Sequence, residues 1–260
     1  MKLQGNTILI TGGTSGFGLE FARRLLDLGN TVIVTGRNAE RLRDTKAILP
    51  AVHTVQSDVR DPAAIADLYG HVTRDFPGLN VLINNAGEMR KLSLHQDHDL
   101  QDITREIEIN LMGPIRMVQQ FLPHLKARPR ATILNVTSGI AFMPLPISPI
   151  YSASKAGLRA YTQALRVQLK HTDIRVVELV APGSSTPLND KFIEEDGFNA
   201  SMLLDPERIV DAALRGLEKD REEVYPGLAK VMQVMSRVAP GLLLRQAGTM
   251  GASTMYGTTA

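Results

Sequence analysis

The chain contains no cysteine, which excludes disulfides and thiolate metal sites and suits a reducing compartment. No apolar run approaches the roughly 20 residues that a membrane-spanning helix needs. The opening residues 1–13 hold one very short apolar run, interrupted by Asn6 and Thr7, too short for the core of a signal peptide. An excess of charge of one sign is missing as well. The 29 Lys and Arg stand against 27 Asp and Glu, for a formal net charge of +2, and they are interspersed, so no basic run marks a nucleic-acid partner. There is no Gly-x-Ser-x-Gly elbow, which argues against a serine hydrolase. His95 and His98, with Asp97 and Asp99, lie on a polar stretch with no scaffold to converge them, so no metal site is assigned. These absences point to a soluble, cytoplasmic protein without stable membrane insertion. Its 260 residues are enough for one large domain with a sizeable core.

What is present is an alternation. Residues 7–10 form an apolar, β-rich run followed by glycines, and then a helical pattern through Phe17, Phe21, Leu25 and Leu28 that stops at Gly29. Strand patterns recur at 31–35, 52–56, 81–83, 132–136 and 174–180, with helical patterns between them. Asp61-Pro62 has the form of an N-cap with proline at the first helical position, and one long helix is expected over 99–122. Short apolar strands alternating with helices predict an α/β fold with a parallel sheet covered on both faces. Ligands bind such sheets beyond the carboxyl ends of the strands. After Pro182-Gly183 the pattern weakens: 184–204 reads as a segment covering the site, 228–247 as an apolar-basic extension, and the Gly/Thr/Ser-rich residues 248–260 as a flexible tail. No internal repeat or linker divides residues 1–247, which read as one domain.

Two stretches carry chemistry. Thr11-Gly12-Gly13-Thr14-Ser15-Gly16-Phe17-Gly18 sits at a strand-to-helix turn. There glycines permit close backbone approach, and the helix N-terminus can face an anionic diphosphate. Tyr151 and Lys155 stand at i, i+4 at the start of a helical pattern, so both side chains share one face. An ammonium beside a phenol favours the phenolate and lowers its pKa, making tyrosine a usable proton donor or acceptor. Alone, each stretch also fits a blander role, a ligand-free glycine turn or a solvated lysine beside a half-buried tyrosine.

Taken together with Asn84-Asn85-Ala86-Gly87, Asn110 in Ile-Asn-Leu-Met-Gly, Ser138 and Pro182-Gly183, these motifs resemble the short-chain dehydrogenase/reductase family over roughly residues 3–225. The opening is most similar to bacterial oxidoreductases of that family whose substrates are mostly unassigned. The resemblance implies a single-domain Rossmann-type doubly wound parallel sheet. It also implies an oxidoreductase that interconverts a carbonyl and an alcohol by hydride transfer, with a nicotinamide cofactor. By that similarity Tyr151 is the general acid in reduction and the base in oxidation. Lys155 lowers its pKa and holds the nicotinamide ribose, Ser138 polarises the substrate oxygen, and Asn110 sits at a helix kink and helps hold a water that leads to Lys155. The cofactor would lie against Gly12, Thr14, Ser15, Gly16, Phe17 and Gly18. Asp58 and Val59 would meet its adenine, and Asn85, Ala86 and Gly87 the adenine ribose. Pro182, Gly183 and Thr186 would meet its nicotinamide. The second strand ends in Thr35-Gly36-Arg37-Asn38, without the acidic residue that marks NAD use. Arg37 therefore favours NADP, since an arginine there accommodates the 2′-phosphate; Ser15 is not the basic residue many NADP-using relatives carry.

The chain departs from the family in two places. Ser184-Ser185-Thr186 lacks the apolar residue that usually precedes the threonine, and Val224-Tyr225-Pro226-Gly227 replaces a glycine-rich strand end. The second departure disfavours the family's common tetramer and leaves a homodimer through the helices containing Asn110 and Tyr151. The extension 228–247 is read as packing over the substrate pocket, with a membrane surface or partner subunit as the other candidate. A cofactor-binding sensor or interaction protein that keeps the fold is the alternative to an enzyme.

Overall fold

Ile8, Leu9 and Ile10 show how the sheet is built. In strand β1 (Thr7–Thr11) successive side chains point to opposite faces, so Ile8 and Ile10 enter one buried layer and Leu9 the other. The computed structural model describes residues 1–256 and adds β2 (Thr31–Gly36), β3 (His53–Gln56), β4 (Leu79–Asn84), β5 (Thr132–Ser138), β6 (Arg175–Ala181) and β7 (Glu223–Val224). All pair in parallel, in the order β3-β2-β1-β4-β5-β6-β7. Every residue of β5 is buried, as a central parallel strand covered on both faces should be.

The helices are α1 (Gly16–Asp27), α2 (Ala39–Ile48), α3 (Pro62–Asp75), α4 (Leu100–Ile103), α5 (Arg105–Ile107), α6 (Gly113–Lys126), α7 (Pro149–Leu169), α8 (Pro206–Glu218), α9 (Ala229–Val238), α10 (Pro240–Ala247) and α11 (Ala252–Tyr256). Phe21 and Leu25 of α1 and Ile209 and Leu214 of α8 cover one face of the sheet. Leu68 of α3, Phe121 of α6 and Leu165 of α7 cover the other. Asp61 caps α3 by accepting from the Ala63 N–H at 2.8 Å, with Pro62 at the first position. No helix among the described residues is long and apolar enough to cross a membrane.

The single helix expected over 99–122 is instead broken. Asp99 caps the short α4 by accepting from Gln101 and Asp102, and a π-helical turn, Glu108–Met112, separates α5 from α6. Pro114 supplies a cause: without an N–H it cannot donate to the carbonyl of Asn110, so the regular ladder fails there.

The tail also differs from expectation. Composition suggested flexibility over 248–260, yet α11 forms, Met255 is buried, and its carbonyl accepts from Ser93 Oγ at 2.6 Å. Tertiary hydrogen bonds and a buried methionine override the local Gly/Thr/Ser bias here; residues 257–260 lie outside those described. The covering segment, in turn, is pinned where it leaves and returns. Ser185 donates its N–H to Leu204 O, and the Leu204 N–H donates to Gly183 O.

The first half of α7 carries Tyr151 and Lys155, and a buried ion pair fixes its register on the sheet. Arg159 donates to Glu178 of β6 at 2.6 Å, with the glutamate side chain fully buried. Thr137 donates to the other carboxylate oxygen at 2.7 Å. Removing one member leaves an uncompensated buried charge. Arg159→Ala should therefore cost about 3–5 kcal/mol, and Arg159→Met with Glu178→Leu should recover much of it. Thermal unfolding of the variants checks this; equal losses in the single and double variants would be the contrary outcome.

Candidate active site

The glycine turn is shaped by close approaches. A Cβ on Gly13 would stand 2.4 Å from Val34 Cβ, and one on Gly18 would stand 2.2 Å from Gly12 O. Gly12 and Gly16 adopt φ of +66° and +51°, a region that favours glycine. Ser15, the N-cap of α1, makes no side-chain capping bond. The first N–H groups of that helix are thus open toward the cleft, where the helix dipole adds positive potential. Asn85 holds this turn against the end of β4: its Nδ2 donates to Thr11 O and Gly12 O, both at 3.0 Å. Thr11 Oγ1 accepts from the Asn85 and Ala86 N–H groups.

At the end of β2, Arg37 is largely exposed and its nearest carboxylate is Glu88, 3.8 Å away. Glu88 is itself bonded to Arg105 at 2.8 Å. Arg41 lines the same part of the cleft. Asp58 is held by Arg60 through hydrogen bonds as short as 2.8 Å. Burial alone would push its carboxyl up, and the Arg60 bonds outweigh that, leaving it below the usual range.

Tyr151, Ser138 and Lys155 meet at the carboxyl end of β5, in a cleft of about 560 Å³ that continues to the glycine turn and to Arg37. Lys155 Nζ donates to Val136 O at 2.9 Å and lies 5.7 Å from the centre of the Tyr151 ring. Burial pulls Lys155 down to about 8. Burial likewise pushes Tyr151 up to about 12, against the opposing pull of the Ser138 hydroxyl. The lowered phenol expected from the Tyr151/Lys155 spacing is therefore absent. Desolvation disfavours both charged forms, and the ammonium is directed at a carbonyl rather than at the phenol.

Asn110 lies in the π-helical turn behind this cleft, fully buried. Its Oδ1 accepts from the Glu88 N–H at 2.9 Å, and its Nδ2 donates to Glu88 O at 2.8 Å and to Ser154 Oγ at 3.0 Å. Ser154 donates on to Tyr151 O at 2.7 Å. The side chain of Asn110 is thus engaged in tying the end of β4 to α7. Of the site residues expected from the sequence, Asn110 and Gly18 do not line the cleft, and all the others do. Thr186 is buried, and its Cγ2 would lie 3.4 Å from a Cβ on Gly16. The extension reaches the site through Met232 of α9, whose sulfur would lie 2.8 Å from a Cβ on Gly139.

Several residues at the site carry no motif. Ser154, Glu88, Arg41, Met232 and Lys191 all escape a reading by spacing, although Glu88 directly follows the Asn-Asn-Ala-Gly run. No ligand is needed to see that the cleft fits a dinucleotide. An uncapped helix N-terminus, glycines at close approaches and the guanidiniums of Arg37 after β2 and Arg41 on α2 match a diphosphate with a further anionic group.

An α/β sheet with a phosphate-binding turn on its first strand and a buried Ser/Tyr/Lys group at its carboxyl edge defines a dinucleotide-dependent oxidoreductase. The family model for short chain dehydrogenase matches residues 6–197, and the chain belongs to that family as one of its enzymes. It is 41% identical to the uncharacterized oxidoreductase DltE of Bacillus subtilis over 225 residues, 86% of this chain and 89% of that protein. It is 39% identical to sulfoacetaldehyde reductase 2 of Chromohalobacter salexigens over 180 residues, 68% of this chain and 71% of that one. The structure resembles a short chain dehydrogenase from Burkholderia cenocepacia in complex with NADP, with a TM-score of 0.82 and 26% identity, over 95% of this chain and 99% of the other.

The buried pair gives the ligand-free protein a pH signature. Lys155 titrates at about 8 when folded against 10.5 for an ordinary lysine. Between those values the unfolded chain holds more protons, and stability rises with pH. Tyr151 titrates at about 12 against 10.0, so its contribution is lost as pH climbs from 10 toward 12. Melting curves of the wild type minus Lys155→Met should show the first slope, and wild type minus Tyr151→Phe the second. Difference curves flat in both windows would contradict this assignment.

Proposed function

We propose that the protein is an NADP-dependent oxidoreductase that interconverts a ketone or aldehyde and the corresponding alcohol, with Tyr151 as the acid/base. The observation that carries this reading is the meeting of Ser138, Tyr151 and Lys155 in one cleft with the open N-terminus of α1. When bound, the cofactor supplies or accepts the hydride at the carbonyl carbon.

The chain's residues do the rest. Thr14, Ser15, Gly16 and Phe17 present backbone N–H groups to the diphosphate, and Arg37, with Arg41 beside it, takes the 2′-phosphate. Asp58 and Val59 flank the adenine, Asn85, Ala86 and Gly87 its ribose, and Pro182, Gly183 and Thr186 the nicotinamide. Lys155 holds the nicotinamide ribose with the donors that Val136 O does not take. Ser138 and Tyr151 direct hydroxyls at the substrate oxygen, where negative charge develops as hydride arrives. Tyr151 donates its proton to that oxygen, and an alcohol results. Lys155, close behind, stabilises the phenolate until it is reprotonated. Asn110 keeps Tyr151 in place through Ser154 and shapes the path of protons from solvent. The NADP complex of the Burkholderia structure supports the choice of cofactor. The name of the Chromohalobacter relative supports reduction of a small carbonyl compound. A homodimer through the helical segments that hold Asn110 and Tyr151, in the cytoplasm, completes the reading.

With NADPH and a panel of aldehydes and ketones, the purified protein should consume reduced-cofactor absorbance. Tyr151→Phe should lower the rate by about 10²–10⁴-fold, the usual share of general acid catalysis, while NADPH still binds. Binding without turnover on any carbonyl would refute the reading. Arg37→Asp should move the preference from NADPH toward NADH, and an unchanged preference would remove Arg37 from the cofactor site.

A further inference from the structure

Among the described residues, the run that covers the tyrosine end of the cleft carries a cation, Lys191, with no carboxylate within 4.0 Å. Residues 186–192 run from the glycine turn, where Thr186 meets Gly16, to Phe192, which packs in the same buried cluster as Tyr151 and Met89. Lys191 sits at the far end of this run, in the 3-10 turn Asp190–Phe192, lines the cleft and stays exposed to it.

The acids around it are held by arginines, although the buried Glu88 Oε2 makes no hydrogen bond and has only Arg37, 3.8 Å away. Glu88 is bonded to Arg105 at 2.8 Å, and Glu106 accepts from the Arg90 N–H at 2.8 Å and from its guanidinium at 3.2 Å. Asp102 takes a further bond from each of Arg90 and Arg105. Lys91 pairs with Glu195. Burial lowers the Lys191 pKa, the fields of Glu88 and Glu106 oppose that, and Arg90 and Lys91 add to it. Its Nζ lies 6.0 Å from the centre of the Phe192 ring. Ile140, Leu188 and Met232 line the same cleft. A cation that lines the cleft with no carboxylate in reach, beside acids that arginines hold, is a site for an anion brought in by the ligand.

We propose that Lys191 forms an anion subsite and that the substrate is a small carbonyl compound, or its alcohol, bearing a carboxylate or sulfonate. This rests on the reading of the site as a carbonyl/alcohol oxidoreductase. The reacting oxygen lies at Ser138 and Tyr151, the short carbon body against Ile140, Leu188 and Met232, and the acid group at Lys191. The geometry makes Lys191 a specificity residue, one that acts on binding rather than on the proton or hydride.

Matched probes test it: 3-oxobutanoate against its methyl ester, and 2-oxoethanesulfonate against propanal. Binding to the NADPH-loaded Tyr151→Phe protein is read by ligand-observed NMR, and turnover by the wild type is read on the same pairs. The anionic member should bind about tenfold more tightly than its neutral partner, the effect of one charge-assisted hydrogen bond. Lys191→Gln should bring that ratio near one and Lys191→Arg should keep it, with melting temperature as the folding control. The pair that shows the larger ratio distinguishes carboxylate from sulfonate. Equal binding of charged and neutral probes, or a preference that survives Lys191→Gln, would overturn the subsite. Selective binding without turnover would leave the subsite standing and overturn the hydride-transfer reading, so the two failures are distinguishable.

Discussion

The site depends on an ammonium that is almost wholly buried. Lys155 is almost wholly buried and donates to Val136 O, the carbonyl next but one to Ser138 on β5. A buried lysine loses solvation and is costly to keep charged, which is why it titrates at about 8. That cost is tolerable if a ligand completes the ammonium's hydrogen bonds. The same burial keeps the phenol of Tyr151 protonated, at about 12.

Other constraints serve to place that pair. Arg159 and Glu178 lock α7 to β6, and Asn110 and Ser154 tie α7 to the end of β4. A third tie runs to the extension. Tyr225 donates to Glu223 at 2.6 Å, and Gln233 of α9 donates to Tyr225 at 2.7 Å. Arg159 lies 3.6 Å from Glu223. The helix that brings Met232 over Gly139 is therefore joined by polar contacts to the helix that carries Tyr151.

Much of this was legible in the sequence because it rests on local rules. Alternating apolar strands and helices foretold the parallel sheet, and Asp61-Pro62 foretold the start of α3. The glycines at 12, 16 and 18 marked the turn, since nothing with a side chain fits those approaches and dihedral angles. What escaped was set by partners distant in the chain. The engagement of the Asn110 side chain depends on Glu88, and the order at Met255 on Ser93. The direction of the Tyr151 shift was misread because spacing reports proximity and says nothing of burial, and burial won. Lys191 carries no motif at all; its place in the cleft is set by the covering segment.

The central claim is that the buried ammonium of Lys155 is a seat for the cofactor. Calorimetry of NADPH binding at about pH 8.5, in two buffers of different ionisation enthalpy, tests it directly. Free Lys155 is then largely neutral, and hydrogen bonds to ribose oxygens would restore its charge. The expected result is net proton uptake on binding that disappears in Lys155→Met. Binding with no proton exchange, or the same uptake in the variant, would contradict the account.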